Sequence, residues 1–148
     1  LHPNDVKRVI RSLEIIDCGG NFDKDNLESA YDYALVVLTE NRQVLYDRIN
    51  KRVDEMFDMG LEEEVKNVIK KYGLTKNSQS MGAIGYREFF DLFDGKMTIS
   101  QVKDKIKQDS RNYAKRQITW FKTMPKAQFE NVENIDKIIE NLKIFLKN

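Results

Sequence analysis

The sequence predicts an α/β fold that is mostly helical, with helices flanking one or two strands. Apolar residues recur at helical spacing through most of the chain, one short unbroken apolar run interrupts them, and Gly, Asn and Asp punctuate the segments. With 148 residues, 41% hydrophobic and 10% aromatic, the chain can bury one real core, and a disordered tail is excluded.

The elements follow in order. Asn4 or Asp5, after Pro3, caps a helix to about Ile16, with Val6, Val9, Ile10 and Leu13 on its inner face and Lys7, Arg8 and Arg11 opposite. Cys18 to Asp23 reads as a loop. Tyr33 to Leu38 is the apolar run; it has the character of a strand buried on both faces, as in parallel sheets flanked by helices. Its partner is either the segment around Phe129 to Val132 or residues outside the sequence. Asn41 caps a helix from Arg42 to Met59 that stops at Gly60, and a second runs from Leu61 to Tyr72 and stops at Gly73, with Leu61, Val65, Val68 and Ile69 inward. Thr75 to Ser80 is a loop, and Ala83 to Phe93 is expected to be helical up to the Asp94-Gly95 turn. Thr98 or Ser100 caps a long helix to about Lys122. Beyond Pro125 come a short strand and a closing amphipathic helix marked by Ile135, Ile138, Ile139, Leu142 and Phe145.

Several function classes fall away. Cys18 is the single cysteine, so there is no internal disulfide, which fits a reducing cytosol. No apolar run is long enough to span a bilayer, and the N-terminus is not a signal peptide. The chain is therefore expected to be cytoplasmic and without a membrane partner; separately, it is expected to be a monomer. Neither GxxxxGK[ST] nor GxGxxG occurs, so Gly82 and Gly85 serve close helix packing rather than a phosphate loop. His2 is the only histidine, which argues against a His-based site, and no metal ligands are assigned. The missing initiator Met is expected of an excerpt from a longer chain, or of a processed one.

Two features carry chemistry. In the long helix, Ile99, Val102, Ile106, Tyr113 and Trp120 form one apolar stripe, while Lys103, Lys107, Arg111 and Lys115 follow a separate stripe that Lys122 rejoins. Residues 102 to 122 hold seven basic and two acidic side chains, hence +5, in a chain of net charge +1. Such a rail suits a phosphate backbone or forms a solvated face. Ser110 and Gln117 lie on the apolar stripe, either satisfied in the core or lining a cleft. In the helix from Arg42, the apolar stripe Leu45, Ile49 and Met56 is completed by Arg52. A cation there must snorkel, pair with a carboxylate or hold an anion such as a diphosphate, with Arg48 one turn away.

Four segments resemble the motifs of the tRNA dimethylallyltransferases. Leu1 to Asp5 with Arg8 and Arg11 is similar to their HPND-x-x-R-x-x-R segment, and Leu45 to Asp54 to their LYxRIxxRVD segment. Gln79 to Glu88 resembles QS-x-x-AIGYKE, and Arg111 to Phe121 resembles RxYAKRQxTWF. All four occur in the family's order.

The resemblance implies a P-loop-type parallel sheet whose other strands belong to an N-terminal half absent from this sequence. Residues 1–32 would then be the edge of a helical tRNA-binding insertion, and 33–148 the core strand, helices and basic helix. It implies transfer of the dimethylallyl group of dimethylallyl diphosphate to N6 of the adenosine 3′ of the anticodon. Magnesium assists, with ligands in the absent half, and the partner is the tRNA anticodon stem-loop with the target base flipped into a channel. An upstream Asp would orient or deprotonate the amine.

Carried over by motif, Arg52 is the catalytic residue on the diphosphate. Lys7, Arg8, Arg11, Gln79, Ser80, Arg87, Ser110, Arg111, Lys115, Arg116 and Gln117 are the tRNA-binding residues. Gly82 replaces the Gln or Arg usual in the family, and Cys18 to Asp32 departs from the family's sequence. With half of a composite site, this segment alone is expected to be inactive. The competing classes are a non-catalytic helical RNA-binding module and a structural domain in which Arg52 forms a salt bridge.

Overall fold

A computed structural model describes residues 2–20 and 31–147. The chain divides into two compact units, Leu1–Tyr33 and Ala34–Asn148. Residues 21–23 of the expected Cys18 to Asp23 loop, and 21–30 of the divergent Cys18 to Asp32 stretch, lie outside the described residues.

The described part of the first unit is one helix, α1 (Val6–Asp17), capped by Asp5, whose Oδ1 accepts the Arg8 amide at 3.3 Å. Its apolar face is amphipathic as expected, yet Val6, Ile10, Leu13 and Ile16 are all at least half exposed. Among the described residues of this unit no second element covers that face.

The second unit opens with β1 (Leu35–Thr39), which pairs in parallel with β2 (Ala127–Asn131), Val37 standing opposite Phe129. The partner of the apolar run is therefore the later segment of the same chain. Only Val37 of β1 is buried, while Leu38 is 61% exposed. Burial on both faces is thus corrected to one face, because a two-stranded sheet has no second layer over it among the described residues.

Next come α2 (Arg42–Asp58), capped by Asn41, and α3 (Leu61–Tyr72). The reversal between them turns on Gly60, whose φ of 93° lies in the left-handed region that side chains disfavour.

The expected helix over Ala83 to Phe93 is shorter. A 3-10 turn spans Gln79–Gly82, turns follow, and only α4 (Phe89–Phe93) is helical. Gly85, at φ 95°, interrupts the path, and its N–H is taken by the Glu88 side chain at 2.8 Å. Close packing is not why these glycines are there. A Cβ on Gly82 would meet nothing within 4 Å, and one on Gly85 only the tip of Met56 at 3.9 Å.

The long helix α5 (Ile99–Phe121) starts from a reciprocal cap. Thr98 Oγ1 accepts the Gln101 amide, and Gln101 Oε1 accepts the Thr98 amide. After β2, α6 (Ile135–Phe145) buries Ile138 and leaves Ile135, Ile139 and Ile144 largely exposed.

The core sits where α2 to α5 meet. Val53, Leu61, Val65, Met81, Phe89, Val102 and Ile106 form one buried cluster. Phe89 is at its centre, stacked on Phe57 with ring centroids 5.8 Å apart and tilted on Phe93 at 5.9 Å. Burying each such side chain contributes about 1.5–3 kcal/mol. Phe89→Ala is therefore expected to cost about 3–5 kcal/mol in denaturant unfolding, against less than about 1 kcal/mol for Leu38→Ala on the open strand face.

Candidate active site

The helices α2 and α5 are joined by polar contacts as well as by Val53, Val102 and Ile106. Asp54 Oδ1 receives Lys103 Nζ at 2.8 Å and Lys107 Nζ at 2.7 Å, and one turn further along Arg111 Nη1 donates to Asn50 Oδ1 at 2.5 Å. The Lys103 ammonium, then that of Lys107, holds the Asp54 carboxyl below its ordinary range, and the hydrogen bond to Asp54 raises Lys103. The rail of cations on α5 is thus split. Its first half is paired within the fold (Lys105 joins Asp109 at 3.3 Å), whereas Lys115 and Lys122 have no carboxylate partner among the described residues. The expected continuous phosphate rail is corrected to its C-terminal part, because α2 supplies a carboxylate opposite Lys103 and Lys107 and none beyond.

The apolar stripe of α5 is cut at a similar point. Val102 and Ile106 are buried, but Tyr113 is 50% and Trp120 56% exposed, and Ile99 stands open at the other end. Where the stripe leaves the core, a groove of about 870 Å³ opens between α2, α5 and the Gly82–Arg87 turns. Leu45, Ile49, Val53 and Met56 of α2, with Ile84 and Ile106, make its apolar wall. Arg52, Arg87, Ser110, Arg116 and Gln117 bring polar groups to it, and no Asp or Glu lines it.

Arg52 is exposed to this groove and has no ion pair among the described residues. The salt bridge of the competing reading is thus not formed among the described residues. Arg48 does not join it, since its guanidinium reaches Glu40 at 3.4 Å. Ser110 and Gln117 line the cleft rather than the core. Arg116 lies over the Tyr113 ring at 5.7 Å.

The turn wall is held by a carboxylate that spacing alone did not mark. Glu88, 4% exposed, accepts the Gly85 N–H and, on its other oxygen, Arg87 Nε at 2.6 Å. Arg87 Nη2 in turn reaches Asp109 of α5 at 2.8 Å, so the turns are tied to the helix. Glu88 first, and Asp109 with it, raises the Arg87 guanidinium further.

The other expected contacts are dispersed. Gln79 and Ser80 stand exposed on the 3-10 turn, Arg111 is drawn to Asn50, and Lys115 lies on another face of α5. Lys7, Arg8 and Arg11 belong to the first unit, where Arg8 pairs with Asp5 and Arg11 with Glu14. Asp54 and Glu88 escaped the sequence reading, although both stand inside its motif segments, at the third residue after the groove arginine's predecessor and directly after Arg87. The signal available was the charge itself, a carboxylate next to a basic position.

This is a half-apolar cleft with an uncommitted guanidinium, the form of a site for an amphiphilic anion. The sequence model of the IPP transferase family matches residues 1–124, and the chain belongs to that family. It is 44% identical over 140 residues to the tRNA dimethylallyltransferase of Anoxybacillus flavithermus, covering 90% of this chain and 44% of that protein. Against the enzyme of that name from Geobacillus thermodenitrificans it is 46% identical, covering 88% and 42%. The crystal structure of the full-length tRNA isopentenylpyrophosphate transferase of Bacillus halodurans superposes with a TM-score of 0.72 at 39% identity, covering 99% of this chain and 46% of that one. The chain spans less than half the length of these relatives.

The Asp54 clasp has a pH signature. A depressed carboxyl stabilises the fold above its unfolded pKa, and that contribution disappears as pH falls through the folded value. Wild type is expected to exceed Asp54→Asn in Tm at about pH 7, with the gap closing below about pH 4, as read by thermal melts across pH.

Proposed function

We propose that this chain is the C-terminal part of an enzyme that transfers a dimethylallyl group from dimethylallyl diphosphate to N6 of the adenosine 3′ of a tRNA anticodon. The observation that carries the reading is the unpaired Arg52 guanidinium on an otherwise aliphatic α2 face of the groove. A prenyl diphosphate has the same division, an apolar chain and a polyanionic head, and a fork of N–H donors matches phosphate oxygens.

In the reaction the C1–O bond of the donor breaks, the electron pair leaves with diphosphate, and the N6 lone pair forms the new C–N bond as an N6 proton departs. Negative charge grows on the leaving oxygens as the bond stretches. Arg52 is the residue of this chain that meets it, within a groove whose aliphatic walls limit water and strengthen the attraction. Ser110 and Gln117 supply neutral hydrogen-bonding groups on the facing helix, suited to a base edge. Arg87, although paired, keeps 48% of its side chain exposed at the rim and is a tRNA contact on this reading, as are Gln79 and Ser80.

No three His, Cys, Asp or Glu side chains come together among the described residues, and the ligands of magnesium belong, on this proposal, to the part of the enzyme outside this sequence. No helix of the described residues is long and apolar enough to cross a membrane. A cytoplasmic monomer acting on the anticodon stem-loop is part of the same proposal.

Two measurements test it. In the full-length enzyme Arg52→Ala is expected to lower kcat about a hundredfold or more while tRNA affinity holds; equal kcat in mutant and wild type refutes the assignment. Lys115→Ala should reduce the slope of log affinity against log salt for tRNA by roughly one, whereas Lys107→Ala, whose ammonium is held by Asp54, should leave that slope near its wild-type value.

A further inference from the structure

The C-terminal half of α5 carries a second surface. Asn112, Lys115, Arg116, Thr119, Trp120 and Thr123 surround a shallow hollow of about 520 Å³, which shares only Arg116 with the groove. At 3.6 residues per turn, Asn112, Lys115 and Thr119 lie roughly 150 to 210° around the helix from Ser110 and Gln117. The hollow therefore belongs to a different side of the helix.

We propose that this hollow is a stacking site for an unpaired RNA base, with Trp120 as the platform and Lys115 and Arg116 on the flanking phosphates. The proposal rests on RNA being the substrate, as above, and adds a contact remote from the transferred group. Trp120 is 56% exposed, meeting Phe121 edge-on at 5.0 Å between centroids. A lone exposed aromatic is ordinary on a protein surface. The charges around this one are not. No carboxylate lines the hollow, and the cations of α5 without a carboxylate partner among the described residues gather at this end, those of its first half being held in ion pairs. Protein docking surfaces are poor in lysine, while single-stranded nucleic acid is held by cations on its backbone and aromatic faces under its bases. Every base has a π-face, so such a site tolerates sequence.

Trp120 is the chain's single tryptophan, so its emission reports on the site directly. The chain is titrated with an oligouridylate of roughly 12 nucleotides and, separately, with polyphosphate and with oligoglutamate of matched charge. The expected result is quenching of Trp120 emission by the RNA alone, about tenfold weaker RNA affinity for Trp120→Ala, and nearly wild-type affinity for Trp120→Phe. The proposal is overturned by RNA that fails to bind or binds without quenching, by equal quenching from polyphosphate, by tighter binding of oligoglutamate, or by wild-type affinity in Trp120→Ala. Prenyl transfer by the full-length enzyme is assayed alongside. Transfer without quenching removes only the stacking site; quenching without transfer removes the prenyl-transfer reading and leaves the stacking site standing.

Discussion

One oxygen of Asp54, shared by the ammonium groups of Lys103 and Lys107, joins α2 to α5 directly beside the buried contact of Val53 with Val102 and Ile106. Exposed ion pairs contribute little to stability by themselves. Here the contact does something else, which is to choose the register. With Asp54 fixed, Asn50 falls opposite Arg111, and Arg52, two residues from Asp54, is turned toward the opposite rim, where it meets the groove rather than the lysines.

The groove follows from what stops around that register. Core packing uses the first half of α5, and beyond Ile106 none of its residues is buried. A half-supported helix exposes both its apolar stripe and its charges, and the remaining wall is brought up by the Glu88, Arg87 and Asp109 chain. The buried carboxylate satisfies the Gly85 N–H and an arginine together, so no buried side-chain polar atom is left without a partner among the described residues.

Local signals were the legible ones. Caps at Asp5, Asn41 and Thr98, and stops at Gly60 and Gly73, stand where their chemistry predicts, because each depends on residues within one turn. The parallel partner of β1 was one of two options that periodicity left open, since pairing across 91 residues, as from Thr39 to Glu130, leaves no local trace. The Ala83 to Phe93 helix failed because Gly85 needs a positive φ there, which composition shows only as a helix of middling propensity. Arg52 stood out as a charge within an aliphatic stripe, and its freedom from carboxylates is a property of neighbours that sequence does not give. The division of the cationic rail was hidden for the same reason: Lys107 and Lys115 look alike until Asp54 is seen opposite one of them.

The two-stranded sheet has a practical consequence. Among the described residues each strand has one flank bonded and one flank of N–H and C=O groups free, and free flanks recruit other strands unless charge or proline protects them. β2 is shielded by Glu130, which Lys137 reaches at 2.9 Å. β1, reading Leu-Val-Val-Leu-Thr, has neither charge nor proline, so in the chain handled by itself Leu35 to Thr39 is where edge-to-edge self-association begins, and a lysine in place of Leu38 is the natural gatekeeper.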